Sequence, residues 1–186
     1  MDDYLLPEKI AYCDPTNIQC VADYILEVTK RINLEIIDQD LTRSWGGYLR
    51  FNRKHIIPFI EEFYMNRKTD LMEQRNGLDP KILIIAPRKM NSWRYHERRD
   101  ELWRVIFGPV AVYASFNNTQ PLRATTFDTG NYINNKVLER HRLVGLQNWG
   151  VVAEIWLHTD PKNPSDEDDI IRIDPDINDP NPSPEE

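Results

Sequence analysis

The 186-residue chain is short of cysteine, glycine and histidine, with two, seven and four of each. Cys13 and Cys20 form a C-x6-C pair with no further cysteine, which is not a recognisable zinc pattern. Disulfides are rare in cytosolic proteins, so two free thiols are expected. No stretch approaches the roughly 18 consecutive apolar residues of a membrane span, and no membrane partner is expected. The opening MDDYLLPEK is acidic and lacks both the basic leader and the apolar run of a secretory signal, which points to a cytoplasmic location.

What the chain has in abundance is acid, but unevenly placed. The net charge is −7. Residues 160–186 hold ten acidic and two basic side chains, so the remaining 159 residues carry about +1. Within that near-neutral body Arg94, Arg98, Arg99 and Arg104 cluster. Four arginines are a small footprint for nucleic acid, and a single anionic small molecule suits them better. Arg98-Arg99-Asp100 reads equally well as a solvated charged turn.

Residues 15–33 carry Ile18, Val21, Ala22, Ile25, Val28 and Ile32 at helical spacing, after start signals at Asp14-Pro15-Thr16. A second, short helix is expected over 58–66, burying Phe59, Ile60 and Phe63. Residues 67–80 are polar and turn-rich, and a loop is expected there. Residues 47–51 alternate, and from Lys81 onward short strands follow one another: 81–86, 91–96, 101–107, 110–116, 121–127, 140–145 and 150–158. Gly, Pro and Asn lie between them. Such spacing is the signature of a mainly β sandwich or barrel. The chain divides into an N-terminal helical extension (1–40) packed on a barrel (41–173), followed by an acidic, Pro-rich tail (174–186) expected to be disordered.

Strand alternation gathers the polar residues. Arg94 and His96 share a face, as do Glu101, Trp103, Val105 and Phe107. If Trp103, Val105 and Phe107 point inward, Glu101 does too, within reach of His96 on the neighbouring strand. His141 opens a later strand and shares a face with Leu143. Two imidazoles and a carboxylate suit a divalent metal such as Zn, Mn or Fe. A lone strand histidine is more often structural, and the pairing with Glu101 is what lifts His96 above that.

These residues resemble the two cupin motifs. Asn91-SWRYHERRDELWRVIFG-Pro109 is similar to the first, with matching positions at Arg94, His96, Glu101 and Gly108. Gly130-NYINNKVLERHRL-Val144 is similar to the second, whose positions map onto Gly130, Lys136, Leu138, His141 and Gly145. Trp45-Gly46, Tyr95-His96, Glu101-x-Trp103, His141-Arg142-Leu143 and Glu167-DDIIR-Ile173 resemble the cupin domain of mannose-6-phosphate isomerases, the bifunctional bacterial enzymes included. The resemblance covers 43–173 and implies a jelly-roll barrel with metal ligands His96, Glu101 and His141.

The departures are informative. The family's first ligand is His or Gln, and here it is Arg94, which has no lone pair for a cation. Lys136, Leu138 and Gly145 replace the family's Pro, Gly and Asn. Either Arg94 anchors an anionic substrate beside a three-ligand metal, or it pairs with Glu101 in the metal's place. Three functions follow. The first is a metal-dependent isomerase acting on a phosphorylated or otherwise anionic sugar, with Arg94 or Arg98 on the anion and Trp103 against the substrate. The others are a non-haem Fe(II) oxygenase and a non-catalytic sugar- or anion-binding cupin. The isomerase needs a base that the sequence does not identify. Exposed strand edges would suit a homodimer.

Overall fold

The computed structural model describes residues 9–74 and 77–174. The expected tail falls outside the described residues from position 175, whereas Asp174 closes the last strand. Among the described residues no helix is long and apolar enough to cross a membrane.

Helix α1 (Ile18–Arg31) buries Val21, Ala22, Ile25 and Val28, the stripe its spacing predicts. Asn17 caps it, its side chain accepting from the Cys20 N–H at 3.2 Å, and Lys30 and Arg31 complement the dipole at its end. Asn33, at φ 55°, turns the chain out of the helix in the left-handed conformation. The expectation of free thiols is corrected here: Cys13 and Cys20 form a disulfide, their Cα atoms 5.8 Å apart. The physical cause is the turn over 14–17, which folds Cys13 back against the first turn of α1.

Eleven strands follow among the described residues: β1 (Ile36–Arg43), β2 (Gly46–Phe51), β3 (Leu78–Ile85), β4 (Trp93–Tyr95), β5 (Arg99–Phe107), β6 (Val110–Ser115), β7 (Thr125–Phe127), β8 (Tyr132–Asn135), β9 (Arg140–Gly145), β10 (Gly150–His158) and β11 (Ile171–Asp174). They form two antiparallel sheets, in the orders β1-β2-β3-β10-β5-β8 and β11-β4-β9-β6-β7. Helices α2 (Ile56–Phe63) and α3 (Lys68–Glu73) join β2 to β3, so the loop expected over 67–80 is instead a helix and the start of a strand.

The central strands of the larger sheet are buried on both faces. Its outer face, with Ile82, Ile84, Leu102, Val151, Ala153 and Ile155, packs with α1 and α2 into one core. Its inner face meets the smaller sheet through Leu83, Trp103, Val105, Val112, Leu143 and Val152. Burial on both faces explains why β3 and β10 read as nearly continuous apolar runs. Phe107 does not follow Trp103 and Val105 inward, because a bulge shifts the β5–β10 register beside Val151 and puts it in the outer core. Gly46, at φ 136°, is required: a Cβ there would lie 2.1 Å from the Ile84 carbonyl oxygen. This close approach seats Trp45 in the inner core.

At one end of β3 and β10, Asp79 accepts from Arg53 at two 2.8 Å contacts and from His158 Nε2 at 2.9 Å. The Ser165 N–H donates to His158 Nδ1 at 3.0 Å, so the ring proton sits on Nε2. Burial would raise the Asp79 carboxyl, but the His158 and Arg53 hydrogen bonds outweigh it and hold it well below the usual range. A lowered folded-state pKa stabilises above the unfolded carboxylate value of about 3.9 and is lost as pH falls below it. Urea unfolding of Asp79→Asn is therefore expected to show a loss of about 1–3 kcal/mol at neutral pH, shrinking as the pH is taken below about 4.

Candidate functional site

The barrel interior is apolar at one end and charged at the other, and the charged end is built from five strands. Alternation along β5 points Arg99, Glu101 and Trp103 to one side. On β10, Glu154 lies in register with Trp103 and with Lys81 of β3. From the smaller sheet, β4 supplies Arg94, which pairs in register with His141 of β9. His96 follows β4 directly, where the chain crosses between the sheets.

The sequence places His96, Glu101 and His141 together, and the structure does the same. Their donor atoms lie within 4.8 Å of one another and all three side chains are buried. His96 Nε2 is 3.0 Å from Glu101 Oε1, and His141 Nε2 is 3.2 Å from Glu101 Oε2. The other nitrogen of each ring faces a backbone carbonyl: His96 Nδ1 with Asp169 O at 3.2 Å, and His141 Nδ1 with Glu139 O at 3.0 Å. A carbonyl can only accept, so Nδ1 carries the proton in both rings. In the neutral ring Nε2 is then a lone pair aimed at the carboxylate. Burial pushes the His96 imidazole down to about 4, against the pull of Glu101. Burial would raise Glu101, but His96 and Arg99 beside it hold its carboxyl well below the usual range.

With both rings neutral, acceptors converge on a carboxylate. Arg99 meets half of this demand: its Nε donates to Glu101 Oε1 at 2.9 Å and its Nη2 lies 3.3 Å from His96 Nε2. Its Nη1 donates to Ser165 Oγ at 2.7 Å and Asp166 O at 3.0 Å, and its plane covers Trp156 at 3.7 Å. The other half is unmet. Glu101 Oε2 and His141 Nε2 are buried and neither has a hydrogen-bond partner among the described residues. Two facing lone-pair atoms are what a cation would satisfy, and a ring fixed through Nδ1 to a carbonyl is the usual support of a metal-ligating histidine. The donor set therefore fits a divalent metal.

The remaining predicted residues separate. Arg94 is 7% exposed and lines a cavity of about 30 Å³ beside Glu101, room for a water or two. It does not pair with Glu101; Arg99 does. Arg98 turns outward, bonding Asp166, Asn163 and the Pro164 carbonyl. Trp103 is fully buried, donates to Glu154 Oε1 at 2.9 Å and packs edge-on against His141, so it supports the site without lining the cavity.

Three participants escaped the sequence reading. Arg99 was open to it, standing two residues before Glu101 on the same strand. Glu154 sits inside the apolar run of β10; burial and the charge of Glu101 raise its carboxyl to about 7, against Lys81, Arg99 and Arg94. Asp169, in the acidic segment after β10, accepts from the N–H groups of Glu97 and Arg98 at 3.1 Å each. With its carbonyl on His96, it fixes the crossing between the sheets. Leu138, at φ 64°, takes the left-handed conformation that favours glycine, and its N–H donates to the His96 carbonyl at 2.8 Å.

No family model and no curated protein matches the chain. Solved structures do. CapF in complex with 3-isopropenyl-tropolone is similar over 74% of this chain and 34% of its own, at 12% identity and a TM-score of 0.51. A mutant of Bacillus subtilis oxalate decarboxylase is similar over 73% of this chain and 30% of its own, at 10% identity and a TM-score of 0.51. The chain spans about a third of each. At such identities the likeness is one of fold, and the fold is a cupin-type β-barrel with an N-terminal helix.

Arg99→Met would leave Glu101 buried without its counter-charge. Chemical denaturation should show a loss of about 3–5 kcal/mol, a large part of it recovered in Arg99→Met/Glu101→Gln.

Proposed function

We propose that this chain is a metal-binding, cupin-type enzyme acting on a small anionic, oxygen-rich substrate, in the manner of a sugar-phosphate isomerase. One observation carries the metal: two imidazole lone pairs and a carboxylate converge, and Glu101 Oε2 and His141 Nε2 are left without a partner in the buried interior. His96, Glu101 and His141 would hold the ion, which when bound supplies Lewis acidity toward a carbonyl or hydroxyl oxygen.

The chain's own residues define the rest of the site. Arg94 brings a buried positive charge to the cavity wall. Arg43 and Arg172, both exposed, mark where the cavity opens. Its volume admits the reacting end of a substrate rather than a whole sugar ring, so the remainder would sit at this mouth. The isomerase resemblance of the two motifs supports a proton-transfer reaction between adjacent carbons.

A second reading has its own observation. The Arg99 guanidinium already bridges Glu101 Oε1 and His96 Nε2, as a resident cation in a non-catalytic anion-binding barrel would.

Elemental analysis of protein purified without chelators separates the two. The enzyme reading expects about one divalent ion per chain, reduced at least roughly tenfold in His141→Ala and in Glu101→Gln. Iron as that ion would favour oxygenase chemistry over isomerisation. Folded protein with metal in only a few per cent of chains would favour Arg99 as the resident cation.

A further inference from the structure

We infer that Arg94 and Glu154 form a subsite for the carboxylate group of a small organic acid, the guanidinium facing the anion and Glu154 sharing a proton with it. The inference rests on the reading that a small anionic substrate is bound at this cavity, and it needs no metal.

The charges lining the cavity do not balance locally. Lys81 is committed to Glu167 at 3.0 Å and Arg99 to Glu101 at 2.9 Å. Arg43 pairs with Asp40 at 2.7 Å. Arg94, over nine-tenths buried, has no ion-pair partner among the described residues, and its Nε has no hydrogen bond. A buried cation without a counter-anion is costly, and a ligand that supplies one removes the cost.

Glu154 is the second half of the argument. It is 1% exposed and lines the same cavity. Oε1 is occupied by the Trp103 indole, and Oε2 has no partner. Burial and the charge of Glu101 on β5 raise its carboxyl to about 7, against the pull of Lys81 on β3, Arg99 on β5 and Arg94 on β4. A protonated carboxyl beside a bound carboxylate can share its hydrogen, as two carboxyls crowded into one site do.

Shape selects the anion. A planar two-oxygen group matches the fork of a guanidinium, and the cavity, about 30 Å³, is narrow. A phosphate brings four oxygens to the same space and would crowd Glu101 and Glu154. The rest of the acid would extend to the exposed Arg43 and Arg172.

The test titrates acetate, and separately inorganic phosphate, into the nitrogen-labelled full chain, both as purified and after chelator treatment. The Trp103 indole N–H, bonded to Glu154, is the reporter. Acetate is expected to give a saturable shift in both preparations, with affinity rising as pH is lowered through about 7 in the chelator-treated protein. Arg94→Gln should weaken it at least roughly tenfold. Arg94→Lys, which keeps the charge without the fork, should weaken it less. Glu154→Gln should keep binding and lose its pH dependence. No saturable shift in either preparation, unchanged affinity in both Arg94 variants, pH dependence surviving in Glu154→Gln, or tighter binding of phosphate would each overturn the inference. Acetate binding by protein that elemental analysis finds metal-free would support it while counting against the metal, so the two failures are distinguishable.

Discussion

The Glu101 carboxylate is the group on which the charged half of the barrel depends. It is 1% exposed and ionised, held by Arg99 on one oxygen and faced by two imidazoles. Removing a charge from water costs several kcal/mol even after relaxation, and only close partners return it. Arg99 is close, but it reaches one oxygen. That asymmetry leaves Oε2 opposite His141 Nε2 and makes the site ready for a cation. Burial, and then the same carboxylate, raise Glu154 across the sheet. One buried charge therefore acts on both His96, just after β4, and Glu154 on β10.

Such an interior is affordable because stability is supplied elsewhere. The helical layer and the outer face of the larger sheet make a core separate from the apolar end of the barrel. Burying each large aliphatic or aromatic side chain there contributes about 1.5–3 kcal/mol. Trp149, donating to the Asp14 carbonyl at 3.0 Å, ties the N-terminal segment to this layer. Asp169 and Ser165 then clamp the His96 crossing from outside, so that this imidazole is held in place by contacts of the chain itself.

Much of this was legible by alternation. His96 and Glu101, separated by a charged turn, had to face each other once both strands turned inward, and His141 followed from the strand holding Leu143. The same rule, applied two residues back from Glu101, reaches Arg99; reading 98–100 as a solvated turn hid it. Glu154 was hidden differently, since a strand buried on both faces shows no alternation around a lone acid. The edge strand β1, with Ile37, Asp38 and Gln39 all exposed, has no alternation to announce it. Phe107 misled because a bulge lies in the pairing and not in the local sequence. The Cys13–Cys20 bond depended on a turn whose direction spacing alone does not give.

The central claim is that both histidines present unprotonated Nε2 atoms to Glu101. Long-range proton–nitrogen correlation spectra of the imidazole rings at neutral pH test it most directly. The account predicts that His96 and His141 are both protonated on Nδ1 alone, with Nε2 as the bare or metal-bound nitrogen. A proton on Nε2 of either ring, as the other neutral tautomer or as an imidazolium, would contradict it.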